Sequence, residues 1–478
     1  MNIRTSFAAS LFAGSMLLPF SALAGQAPAA ASDPDIPISS KDRVYAAEQF
    51  SNTVSVSDPS TNKLLGVIKL GDPQPGNLSP LYKGQVLVHG MGFSPDHKTL
   101  AVVSIGSNSV TFIDTATNMV KHTTYVGRSP HEAFFTPDGR EVWVTVRGED
   151  YISVIDASTF EEKAQIKVPA GPGMQIFSPD GKYGYICSSF NPETVVVSVA
   201  DHQIVGHVKQ ESPFCPNIAA SPDGKQVWFT LKDIGKTQVF NAEAPFDLIK
   251  TIDTGPITNK NGSFAYVTVG GLNEVKVFRT DNFEQVATIP VGNLPHGIWP
   301  SGDGSRVYVG LENADQFAVV DTVTNKVIAN IPIGQAPQAV AYVPNAVPEG
   351  DGLQNLVPLG KAGEAAHLKL AAKEEKDKTP STVSLFDQGL TQVLQASVTG
   401  LEPKKAYVLA LSDKPDGSGP LEGLSNFTTN PAGSAIVNAV GPIRQIVEAK
   451  HKDERRFLVV ASVEDGKPGK VLQVQAAE

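Results

Sequence analysis

Phe135-Thr136-Pro137-Asp138-Gly139-Arg140-Glu141-Val142-Trp143-Val144-Thr145 carries the pattern that decides the fold. An apolar run ends in Thr-Pro-Asp-Gly, where Pro presets φ and Gly accepts a left-handed position, and a β-branched, aromatic run follows. The segment reads as two antiparallel strands joined by a tight turn. Similar turns stand at Ser178-Pro179-Asp180-Gly181 and Ser221-Pro222-Asp223-Gly224. The run after the turn recurs with starts at Val44, Leu100, Val142, Tyr183, Val227, Phe264 and Val307, separated by 56, 42, 41, 44, 37 and 43 residues. A regular period of roughly 40 to 45 residues means one small sheet per repeat.

Each copy continues in the same order. An alternating strand such as Asn108-Ser109-Val110-Thr111-Phe112-Ile113-Asp114 follows, then a Thr-Asn turn and a fourth strand such as Lys326-Val327-Ile328-Ala329-Asn330-Ile331. Four antiparallel strands at this period form a propeller blade, so seven copies predict a seven-bladed β-propeller. The first copy lacks an innermost strand, and Gln338-Ala339-Val340-Ala341-Tyr342-Val343 after the last copy supplies one. Chain ends that share one blade close the ring and remove its open edges.

The wider composition fits this reading. Of 478 residues, 41% are hydrophobic and 7% aromatic, with 42 Gly and 35 Pro, which excludes a disordered chain and suits short strands joined by tight turns. A formal net charge of −10 without a basic block argues against nucleic acid as a partner. Two cysteines are too few for a disulfide scaffold.

Phrases such as Asn52-Thr53-Val54-Ser55-Val56-Ser57-Asp58, Phe264-Ala265-Tyr266-Val267-Thr268 and Ala287-Thr288-Ile289-Pro290-Val291-Gly292 resemble the YVTN family of β-propeller repeats, found in exported bacterial and archaeal proteins. The resemblance spans about residues 43 to 345. It implies the propeller fold and little about chemistry, because the wider superfamily includes binding proteins, quinoprotein dehydrogenase subunits, haem d1 domains and lactonases.

Outside the repeats, Met1-Asn2-Ile3-Arg4, the apolar stretch Phe7 to Phe20 and Ala22-Leu23-Ala24 read as a signal peptide, residues 1–24, cleaved after Ala24. Residues 25–42 form an Ala- and Pro-rich leader, 43–348 the propeller, 349–362 a linker, and 363–478 a small β-sandwich-like domain. The expected location is periplasmic or secreted, with no membrane span in the mature chain. Two copies depart from the pattern. The first carries a Pro- and Gly-rich insertion from Asp72 to Lys83, expected to form a lip, and the sixth, around Gly255 to Gly262, has little chain for an innermost strand.

Candidate functional residues gather on one face. His89, His131 and His296 each lie five residues before the equivalent turn position, Ser94, Thr136 and Ser301, in the loop that enters an innermost strand. The equivalent positions hold Gly173, Pro216 and Gln338. Around the ring His296, Gln338, His89 and His131 become neighbours at the channel mouth. Converging imidazoles are able to bind Cu, Zn or Fe, orient a redox cofactor, or hold an anion. In YVTN-like repeats such a ring can equally bond the backbone of the next blade, a structural role.

Loops between second and third strands should open on the same face with Glu48, Ser104, Arg147, Glu149, Lys232, Asp233, Glu312 and Asn313. Solubility alone would also produce such a rim; as a ligand site, Arg147 and Lys232 beside His131 would be the best anion clamp. Cys187 and Cys215 fall on one face of adjacent blades, where an oxidising compartment would let them form a disulfide; the alternatives are two separate thiols or a metal site shared with histidines. His97, His122, His202, His207, His367 and His451 read as surface or packing residues. Covalent-haem, phosphate-loop, zincin and nucleophile-elbow motifs are absent. The leading expectation is an exported scaffold that takes a small molecule or a protein partner at the channel face. A metal or redox cofactor protein and a divalent-metal lactonase remain as alternatives.

Overall fold

The computed structural model describes residues 37–71, 86–253, 259–261, 263–360, 365–374, 378–387, 392–443, 447 and 455–476. The segment expected to be a signal peptide, most of the expected leader and the insertion expected between Asp72 and Lys83 lie outside the described residues. Seven four-stranded antiparallel sheets form the propeller. Its ring closes where Pro337–Val343 pairs with Arg43–Glu48 as the innermost strand of blade one. Blade six keeps a short innermost strand, Asn259–Asn261, paired with Phe264–Val269.

Burial explains why the second strands stand out as continuous apolar runs. Thr99–Ser104 is buried along its whole length because both of its faces pack on neighbouring blades, whereas the outer strand Glu162–Lys167 is mostly exposed. Large aromatics fill the wedge between blades. Trp143 of blade three is fully buried, and a Cβ at Gly184 of blade four would lie 2.7 Å from its ring. The Pro-Asp-Gly turns behave as their residues predict: Gly139 has φ 72°, and the Asp138 carboxylate accepts from the Thr136 hydroxyl at 2.7 Å and the Arg140 amide at 3.1 Å.

After the last blade the linker folds back along the outside of the ring. The Arg43 guanidinium donates to the Asp351 carbonyl at 2.7 Å, Asn118 donates to the Gly352 and Gln354 carbonyls, and Val357 bridges Val67 of the outer strand of blade one. The C-terminal strands predicted from the alternating pattern form one eight-stranded sheet rather than two facing ones. Its edge strands, Leu421–Thr428 and Ala435–Gly441, approach each other, so the sheet nearly closes into a barrel around Leu370, Leu385, Leu394, Leu409 and Val460. Alternation reports that one strand face is buried, and a curled single sheet meets that condition as well as a sandwich does.

This barrel-like unit rests on the loops of blades seven and one, on the same face as the channel mouth. Phe50 stacks on Phe386 with ring centroids 4.4 Å apart, and Asn313 donates to the Thr382 hydroxyl at 3.1 Å. His367 bridges the two units, with Nε2 3.1 Å from Asp315 and Nδ1 2.9 Å from the Ser384 hydroxyl. Among the described residues no helix is long and apolar enough to cross a membrane.

Candidate functional site at the channel mouth

Three local devices place the histidines. The first is a clamp. In αL conformation, Asn52 accepts the Leu87 amide at 2.8 Å, Asn108 the Ser129 amide at 2.9 Å and Asn273 the Leu294 amide at 2.9 Å, each across a blade boundary. Asp315 does the same for Ala336 at 3.0 Å. In each case the residue two positions further on is His89, His131, His296 or Gln338. A side-chain oxygen in one blade therefore sets the entry of the next.

The second device is a β-bulge. Val88 pairs with Ser104 and Met91 with Val102, which leaves His89 and Gly90 opposite a single residue. Corresponding register shifts fall at His131-Glu132, His296-Gly297 and Gln338. A bulge re-aims a side chain at the end of a strand, and here it turns the rings toward the channel.

Close approach is the third. A Cβ at Gly90 would lie 1.9 Å from the His131 carbonyl, and one at Gly297 would lie 2.6 Å from the Gln338 carbonyl. Blade three breaks the His-Gly pattern with Glu132, whose carboxylate occupies the space left by Gly90. Its own amide donates to Thr145, whose hydroxyl donates on to the Gly173 carbonyl of blade four at 2.6 Å.

His89 and His131 face each other, with ring centroids 4.3 Å apart. Together with Glu132 they place one donor atom each within 4.8 Å of the others. Both Nδ1 atoms are buried and have no hydrogen-bond partner among the described residues. His296 differs: its Nδ1 donates to the Gln338 carbonyl at 2.8 Å. That contact is the ring-to-backbone bond that the repeat resemblance implies, realised at one of the three positions.

Electrostatics keep this cluster uncharged. Burial, reinforced by the Arg147 and His296 charges, holds His131 down to about 3. His89 is pushed well below its ordinary value by burial and then by the neighbouring His131. Burial raises Glu132 to about 8, against the weaker pull of the Met91 amide and His296. Neutral imidazoles beside a protonated carboxyl form a polar, uncharged lining at the mouth.

Above it lie two cations. The Arg147 Nε donates to Ser189 at 2.9 Å, and its guanidinium sits 5.7 Å from the Phe190 ring and 5.6 Å from the Phe214 ring. The Lys232 ammonium lies 5.5 Å from the same Phe214 ring. Among the described residues neither has an ion-pair partner; Lys232 feels the charges of Glu312 and Asp233 without contacting them, and burial lowers the affinity of both cations for their protons. The loops of blades three, four and five thus hold a cationic, aromatic-backed patch, while blades seven and one carry the C-terminal unit.

Several loop residues that resembled a polar rim have other tasks. Glu48 is fully buried and accepts from Thr53 and Ser55, and Asn313 is fully buried against the C-terminal sheet. Ser104 and Glu312 are buried as well, and Glu149 pairs with Arg128. Cys187 and Cys215 form a disulfide between blades four and five, with Cα atoms 6.0 Å apart. Glu132, Phe190 and Phe214 were not singled out by sequence pattern. The break from His-Gly to His-Glu in blade three was the available signal for the first.

The profile of the family described as "Lactonase, 7-bladed beta-propeller" matches residues 114–327. No curated protein sequence matches the chain. Among solved structures, the chain is similar to Kuenenia stuttgartiensis hydrazine synthase, at 18% identity and TM-score 0.52, over 66% of this chain and 99% of that one. A functionally unknown protein from Desulfotomaculum acetoxidans DSM 771 is similar at 15% identity and TM-score 0.54, over 63% of this chain and 98% of that one. These likenesses are to the seven-bladed propeller fold.

Proposed function

We propose that the protein is an exported binding propeller whose channel mouth takes a small anionic ligand. The observation that carries this reading is the pair Arg147 and Lys232, two half-buried cations that share the Phe214 ring without a carboxylate partner among the described residues. A buried, unpaired charge is costly, and an anion at the mouth would offset that cost. The guanidinium fork suits a carboxylate or phosphate, Lys232 adds a point charge, and the neutral imidazoles below supply hydrogen-bonding nitrogens. The N-terminal Met1 to Ala24 pattern supports export.

Calorimetric titration of the mature chain with citrate, succinate and inorganic phosphate tests the reading. Loss of a charge partner in a desolvated site costs about 2 kcal/mol or more, so Arg147→Gln and Lys232→Gln should each weaken binding at least about tenfold. Anion binding that is indifferent to both substitutions refutes it. The family-profile match supports a second reading, a lactone hydrolase at the same mouth; turnover of a lactone panel, abolished by Glu132→Gln, would favour it over simple binding.

A further inference from the structure

Beneath the cations, the His89, His131 and Glu132 group has a geometry that ligand binding at Arg147 and Lys232 does not require. We propose that these three residues form a binding site for one divalent first-row transition-metal ion, held between the bulged strands of blades two and three. The inference goes beyond the anion reading and does not depend on it.

Four observations converge. The three donor atoms already lie within 4.8 Å of one another, a separation that a single ion at about 2 Å from each can bridge with small rotamer adjustments. The Nδ1 atoms of both rings are buried without partners, although buried polar atoms almost always have one. The His131 Nδ1 and the Glu132 Oε1 are 3.6 Å apart, too far for a hydrogen bond between them, so neither satisfies the other. Finally, Glu132 stands where blades two and seven have Gly90 and Gly297, and Gly90 opens the volume its carboxylate fills. A packing role alone would be served by glycine, as it is in the sister blades.

The donor set identifies the class of ion. Two imidazoles and one carboxylate, which releases its proton to solvent when the ion binds, suit Zn, Fe, Co or Cu in the divalent state; Ca and Mg favour all-oxygen ligands, and Cu(I) favours sulfur. Three protein donors leave coordination positions open toward the channel. His296 lines the same pocket.

The test uses the full mature chain, stripped with chelator and titrated with Co²⁺ while visible absorption is recorded, then with Zn²⁺ in competition. One ion per chain is expected, with d–d bands that Zn²⁺ abolishes. Glu132→Gln should lower Co²⁺ affinity at least about tenfold, and His131→Gln should lower it further. His207→Gln, which removes an exposed ring paired with Glu193, should change nothing. Crystals of the unsubstituted chain with Zn²⁺ keep the test independent of variant folding, and an anomalous peak between His89 and His131 is expected. Absence of stoichiometric binding, or a peak elsewhere with binding lost in His207→Gln, overturns the proposal and leaves the anion reading standing.

Discussion

Replacing Glu48 by Gln should flatten the dependence of stability on pH. Glu48 ends the second strand of blade one, at the seam where the ring closes, and is fully buried. Burial raises its carboxyl from 4.5 to about 8, outweighing the donors from Ser55, Thr53 and the Gly334 amide. Between those two values the unfolded chain has released a proton that the folded chain retains. Stability is therefore greatest below the unfolded value, falls as pH rises through the window, and levels off above about 8. Each pH unit inside the window is worth about 1.4 kcal/mol, so Glu48 alone withdraws about 4 kcal/mol between pH 5 and pH 8. Glutamine matches the shape of the protonated acid and cannot ionise. Urea unfolding of both proteins at several pH values measures the difference, in which the parallel contribution of Glu132 cancels. Glu48→Gln should gain about 4 kcal/mol relative to the parent between pH 5 and pH 8. A difference that stays constant with pH would refute a protonated Glu48 at the seam.

Gly90→Ala should lower stability by about 3 kcal/mol or more, because its Cβ would collide with the His131 carbonyl at 1.9 Å, while Gly423→Ala, whose nearest contact is Val408 at 3.4 Å, should be close to neutral; thermal unfolding compares the two. The double substitution Cys187→Ser, Cys215→Ser removes a bridge across 28 residues, and the chain-entropy relation puts the loss at about 3.5 kcal/mol, readable from denaturant midpoints. His367→Ala leaves the buried Asp315 carboxylate without its ring partner and should cost about 2 kcal/mol, with faster amide exchange in Ser381–Asp387 than in the propeller strands.

The legible part of this molecule was the part that repeats. Second strands such as Glu141–Val146 are buried on both faces along nearly their whole length, so they read as continuous apolar runs, and the turns that lead into them require Gly and Pro at fixed offsets. Alignment on those turns places His89, His131 and His296 on one face, and each sits in a bulge there. The bulges themselves leave no mark in a single sequence, because the extra residue shows only against a paired strand. The Phe190 and Phe214 rings behind Arg147 and Lys232 come from different loops, and the packing of adjacent blades three, four and five brings them together. Glu48 and Asn313 resembled solvent-facing loop residues. Ring closure buries the first and docking of the C-terminal sheet the second, both contacts between residues far apart in the chain. The curl of that sheet was likewise hidden, since strand alternation is blind to the path of the sheet as a whole.

The anion-binding mouth is tested most directly by a crystal structure of the mature chain grown with saturating citrate. The predicted result is citrate over the Phe214 ring, with one carboxylate on the Arg147 guanidinium, another on the Lys232 ammonium, and the neutral His89 and His131 rings beneath. Citrate bound elsewhere on the chain, with Arg147 and Lys232 turned away from the channel into solvent, would contradict the account.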